Sequence, residues 1–130
     1  MVELSSGVIT PLQSIDFSHS AIGFHFSGRA FELPGWALVF TSNGTVPPST
    51  WMDDQIFAIE LVGNGRVFRL AHMHSIYNEN IEHDYWAEPH GSVNHDFSKI
   101  VFTSNWGRTR TDQVDMFMIK LPDKWISLIP

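Results

Sequence analysis

Apolar residues along this chain fall in short runs rather than at helical spacing. No window sustains apolar residues at i, i+3, i+4 and i+7, and Gly or Pro interrupts most candidates. The runs are rich in β-branched and aromatic residues and are bounded by turn formers. Trp36-Ala37-Leu38-Val39-Phe40-Thr41 is entered by Pro34-Gly35 and left by Ser42-Asn43-Gly44. Gln55-Ile56-Phe57-Ala58-Ile59-Glu60-Leu61 reaches Gly63-Asn64-Gly65 and restarts as Arg66-Val67-Phe68-Arg69-Leu70. This pattern predicts a β-hairpin, with glycine supplying the positive φ of the turn. Lys99-Ile100-Val101-Phe102-Thr103 and Val114 to Leu121 complete the predicted strands. Many short strands at regular spacing make an all-β chain.

The strands repeat. Ala37-Leu38-Val39-Phe40-Thr41-Ser42-Asn43 returns as Lys99-Ile100-Val101-Phe102-Thr103-Ser104-Asn105. Gln55 to Leu61 returns as Asp115-Met116-Phe117-Met118-Ile119-Lys120-Leu121. Upstream, His25-Phe26-Ser27-Gly28-Arg29 aligns with His90-Gly91-Ser92-Val93-Asn94, which places His25 and His90 at equivalent positions. Gly7-Val8-Ile9-Thr10-Pro11-Leu12 aligns with Gly65-Arg66-Val67-Phe68-Arg69-Leu70. Each unit reads as four strands, and a repeated four-stranded antiparallel unit is how a β-propeller blade is written in sequence.

Here the residues resemble a family. Ser92-Val93-Asn94-His95-Asp96-Phe97-Ser98-Lys99-Ile100-Val101-Phe102-Thr103-Ser104 is similar to the S-P-D-G-x-x-I-x-F-x-S signature of TolB-like (WD40-like) propeller repeats. Val114 to Leu121 resembles that family's D-I-Y-V-M-D-L strand, and Asn94-His95-Asp96-Phe97 stands where the family has S-P-D-G. The resemblance implies a single propeller-like domain over residues 1–130, with two four-stranded blades at about 13–71 and 72–121. Residues 6–12 would then be an amino-terminal strand completing a blade sheet, in an adjacent or closing blade. Two blades are fewer than the four to eight that close a propeller. The expectation is therefore self-association, with a trimer or tetramer closing a ring.

Composition narrows the function classes. The chain of 130 residues is 43% hydrophobic with ten Phe and five Trp, enough for a packed core. Its formal charge of −6, with 8 basic residues that do not cluster, argues against a nucleic-acid partner and against attraction to an anionic membrane. There is no cysteine, so disulfides, thiolate metal sites and thiol catalysis are excluded. No signal peptide is legible in MVELSSGVITPLQ, so a cytoplasmic location is the default, or an exported one for a fragment of a longer precursor.

Histidine carries the candidate chemistry. His72, His74, His83, His90 and His95 fall in one stretch with Glu79, Glu82, Asp84 and Glu88. In an extended His72-Met73-His74, both imidazoles share one face, as a divalent-metal site with His83 as a further ligand would need. By the resemblance, this stretch joins the outer strand of one blade to the inner strand of the next, on the ligand-binding face. Some propeller lyases acting on acidic sugars hold a divalent metal in such a cluster. Tyr85 and Trp86, beside Glu88 and His90, offer a sugar-stacking platform, so those four form the candidate ligand-binding set, for a carbohydrate or protein ligand. Asp53-Asp54 and Asp112 precede matching strands, as Ca²⁺ oxygen ligands or, more simply, solvated turn carboxylates. No G-x-S-x-G, H-E-x-x-H, P-loop or dinucleotide fingerprint is present. The leading expectation is a non-catalytic ligand- or protein-binding propeller module or fragment. A metal-dependent carbohydrate-active enzyme using His72–His95 is the alternative, and a purely structural assembly protein the third reading.

Overall fold

The computed structural model describes residues 1–15, 17, 22–43, 50–76, 87–108 and 113–128. Among these there is no α-helix, and the elements are seven strands and one 3-10 turn at Trp125–Leu128. β1 (Ile22–Ser27), β2 (Trp36–Asn43), β3 (Gln55–Glu60) and β4 (Val67–His72) form a four-stranded antiparallel sheet in chain order. β5 (Gly91–Val93), β6 (Lys99–Ser104) and β7 (Asp115–Lys120) form a three-stranded one. The fold is thus all-β, with two antiparallel sheets that do not close on themselves.

The sheets meet through a shared core. Trp36, Leu38 and Phe40 of β2, with Ile56 and Ala58 of β3, pack with Val93, Ile100 and Phe102 of the second sheet. The closest approach lies at the first strand of each sheet, where β5 runs against β1 and β2. A Cβ on Gly91 would sit 2.3 Å from the Phe40 ring, so only glycine lets these strands come this close. Trp125, just beyond β7, bridges both sheets by packing on Trp36, Phe68 and Phe97, and its indole N–H donates to the Phe97 carbonyl at 3.0 Å.

The two sheets differ in how many faces they cover. β3 is buried along nearly its whole length, and accordingly its sequence is a continuous apolar run. Its second face, with Val39, Phe57 and Ile59, is covered by Leu12 and Phe24. β6 instead alternates exposed and buried, because among the described residues only one of its faces has a covering.

Two local expectations change. In the turn after β3 the positive φ belongs to Asn64, at 56°, and not to a glycine. Gly65 is needed there for space, since a Cβ would meet the Glu60 carbonyl oxygen at 2.7 Å. Strand register pairs Phe40 with His25 but Phe102 with Gly91, so His25 answers Gly91 and His90 lies one position before the strand. Residues 6–12 add a strand to neither sheet of their own chain. They fold back on residues 1–3, with the bridge Val2 to Ile9 and hydrogen bonds from Glu3 N–H to the Val8 carbonyl and from Thr10 N–H to the Met1 carbonyl, each 2.9 Å, and the half-buried Leu12 packs on the outer face of β2 and β3. The turn Asn94–Phe97 replaces S-P-D-G with side-chain chemistry. Asn94 Oδ1 accepts the Lys99 N–H at 2.8 Å and Asp96 Oδ1 accepts the Ser98 N–H at 2.9 Å. Phe97 takes the left-handed φ of 58° where the signature has glycine, and full burial of its ring offsets that strain.

Candidate functional site

The connections β2–β3, β4–β5 and β6–β7 all leave from one end of the two sheets. Long connections gathered at one end of a rigid scaffold are where binding residues concentrate. His72, His74, Glu88 and His90 all belong to this end. His83, Tyr85 and Trp86 lie outside the described residues, as do Glu79, Glu82, Asp84 and Asp112.

The second F-T-S-N run anchors the β4–β5 connection here. Ser104 donates its hydroxyl to the Met73 carbonyl at 2.7 Å. Asn105, fully buried, accepts the Ile76 N–H on Oδ1 at 2.9 Å and donates from Nδ2 to the Ile76 carbonyl at 2.7 Å. The side chain thus satisfies both backbone groups of Ile76, as a neighbouring strand would.

His72 and His74 do come together, with ring centroids 4.7 Å apart, and the His74 ring also lies 4.8 Å from Trp106. The backbone is not extended, because His74 adopts a φ of 55°. That turn aims the His74 N–H at His72 Nδ1, 3.2 Å away. Nδ1 therefore accepts, the proton sits on Nε2, and His72 presents a donor rather than a lone pair to its surroundings. Burial, then the neighbouring His74 and Arg69 charges, lower the His72 pKa below its ordinary value. Among the described residues no group of three His, Asp or Glu side chains is placed to hold a metal ion.

Glu88 and His90 form a separate cluster with a residue absent from the candidate set, His25. The half-buried His25 faces Glu88, with Nε2 3.3 Å from Oε2, and its ring lies 4.1 Å from that of His90. His90 Nδ1 is 3.0 Å from the Glu88 carbonyl oxygen, which only accepts, so Nδ1 carries the proton and Nε2 is left as an acceptor. The His90 backbone is fixed by Thr103, whose Oγ1 accepts the His90 N–H at 3.0 Å. No hydrogen bond, ion pair or ring contact joins this cluster to His72 and His74 among the described residues. His25 is invisible as a partner in sequence because it lies more than sixty positions from Glu88 and meets it only when β1 and β5 pack.

Asp53 is not a solvated turn carboxylate. It is 1% exposed, and its carboxylate accepts the Thr50 N–H at 2.7 Å and the Thr50 hydroxyl at 3.0 Å. Two of the larger cavities among the described residues lie away from this end. One of about 510 Å³ opens on the uncovered face of the second sheet, between Arg29, Asp96, Lys99 and Met118. The other, about 440 Å³ and mostly apolar, is lined by residues 9–13 together with Phe24, Val39, Phe57 and Ile59. No helix among the described residues is long and apolar enough to cross a membrane. No family model, curated protein or solved structure matches this chain.

Proposed function

We propose that the chain is a non-catalytic ligand- or protein-binding module of two propeller-like blades that associates with further copies of itself. One observation carries this reading: large apolar side chains stand exposed on both outer sides of the two-sheet stack. On the first sheet Phe26 is 68% exposed beside the cavity wall of Phe24, Phe57 and Ile59. On the second, Met116 and Met118 are 74% and 64% exposed beside Val101. Large apolar side chains gathered on a sheet face mark a surface that another surface covers. The approach of the two sheets through their first strands, β5 against β1 and β2, supports the blade reading, since blades of a propeller meet through their first strands. The resemblance to TolB-like repeats points the same way. Ligands would meet the end that holds His25, Glu88 and His90, where His90 Nε2 accepts a hydrogen bond.

Light scattering after size exclusion tests the assembly. Three or four times the chain mass of 14.8 kDa is the expected result, matching a ring of six or eight blades. A monomer at micromolar concentration overturns it.

A further inference from the structure

We infer that the cavity of about 510 Å³ on the uncovered face of the second sheet binds a monoanionic organic molecule, a carboxylate carrying an apolar body. Among the described residues Arg29, Lys99 and Lys120 have no side-chain hydrogen bond or ion pair. Every other described arginine is engaged: Arg66 pairs with Glu60, Arg108 with Asp115, and Arg69 donates to the Gln55 side chain. Arg29 and Lys99 line the cavity. Lys120 stands directly opposite Lys99 in the β6–β7 register, so both ammonium groups leave the same face. Like charges directly opposite one another destabilise a sheet. An anion seated between them relieves that repulsion, and the chain as a whole, at −6, supplies no surplus of cations to explain the gathering otherwise.

The walls are held in place by the fold itself. The connection from β1 to β2 is tied across β5 and the turn after it. Ser27 Oγ accepts the Val93 N–H at 3.2 Å, and the Glu32 N–H donates to the His95 carbonyl at 2.9 Å. The Phe31 ring lies 5.3 Å from that of His95, and buried Ala30 anchors the segment in the core. Arg29 is thereby fixed beside a floor made by β6 and β7. That floor changes character along the strands: Lys99 and Lys120 form one row, and Val101 and Met118, 37% and 64% exposed, form the next. A ligand lying along it sets its charge among the three cations and its apolar body on Val101 and Met118. Glu32 and Asp96 also line the cavity, and hydrogen bonds from Ser98 hold the Asp96 carboxyl below its usual pKa range, so it stays ionised. At about pH 8, where histidine is ordinarily neutral, three cations against two carboxylates accept one negative charge and oppose a dianion such as phosphate. Thr103 and Met116 make the following row, outside the cavity lining. The cavity is complete within one chain, so the inference goes beyond the self-association proposed above.

Titration of the isotope-labelled protein with naphthoate at about pH 8, followed by backbone amide shifts, tests the site. Saturable shifts centred on Arg29, His95, Lys99 and Val101 are the expected result. Naphthalene methanol has the same body without the charge, and inorganic phosphate has charge without the body. Each should bind at least about tenfold more weakly. An Arg29→Gln, Lys99→Gln double variant should lose about tenfold in affinity, while Glu32→Gln should bind naphthoate more tightly. All three side chains are exposed, and the amide spectrum of each variant reports directly that it is folded. Absence of saturable shifts at Arg29 and Lys99 overturns the inference, as does a double variant that binds like the parent. Shifts confined to residues 9–13, Phe57 and Ile59 place the probe in the apolar cavity and also overturn it. Light scattering on the same samples keeps the two readings apart. A monomer that binds the probe at Arg29 and Lys99 sustains the site and overturns the assembly, and an assembled protein without shifts there does the reverse.

Discussion

Replacing Gly91 by alanine tests whether the sheets meet as closely as described. Gly91 does not need a positive φ, so an added methyl strains nothing in the backbone itself. By restricting the unfolded chain it would even stabilise by about 0.5–1 kcal/mol. The obstacle is space: the new Cβ would lie 2.3 and 2.5 Å from two Phe40 ring carbons and 2.6 Å from the Val101 carbonyl oxygen. Phe40 is fully buried and the carbonyl belongs to the paired strand β6, so neither yields without moving β5 off β2 and β6. Overpacking of this kind costs about 3 kcal/mol, at the upper end of its usual range. The net expectation is a loss of about 2 kcal/mol in urea unfolding followed by tryptophan fluorescence. A Phe40→Leu background should recover part of it, because removing the ring edge removes the nearer clash. A Gly91→Ala protein within about 0.5 kcal/mol of the parent, below the cost of overpacking, together with no coupling to Phe40, would refute the contact.

Other positions give further checks. Asn105→Ala removes both side-chain bonds to Ile76 and should cost about 1–3 kcal/mol; hydrogen exchange should quicken first at Ile76. Trp125→Ala empties the site shared by Trp36, Phe68 and Phe97 and should cost about 3–5 kcal/mol, read by thermal unfolding. The His72 pKa is lowered in the folded protein, so below about 6.5 the unfolded chain binds more protons. Stability that is present above that pH is lost as pH falls through the folded value. His72→Gln should make stability less dependent on pH between neutral and mildly acidic conditions, and an unchanged slope would remove His72 as its source.

The strands were legible from the alternation and the turn formers alone, because strand formation here answers to local patterning and to β-branched and aromatic side chains. β3 and β4 lie where their residue runs put them, and the repeat of F-T-S-N marks β2 and β6. The absence of cysteine closed off whole classes of chemistry before any fold was known. What needed the tertiary structure was everything fixed by packing between distant segments. Asp53 and Asn105 look like surface turn residues until their neighbours bury them and supply hydrogen bonds. His72 and His74 share a strand face only if the chain stays extended, and the left-handed turn at His74 instead spends one imidazole nitrogen on a backbone N–H. His25 joins Glu88 because a glycine at 91 lets β5 approach β1 and β2, an encounter that no local pattern encodes.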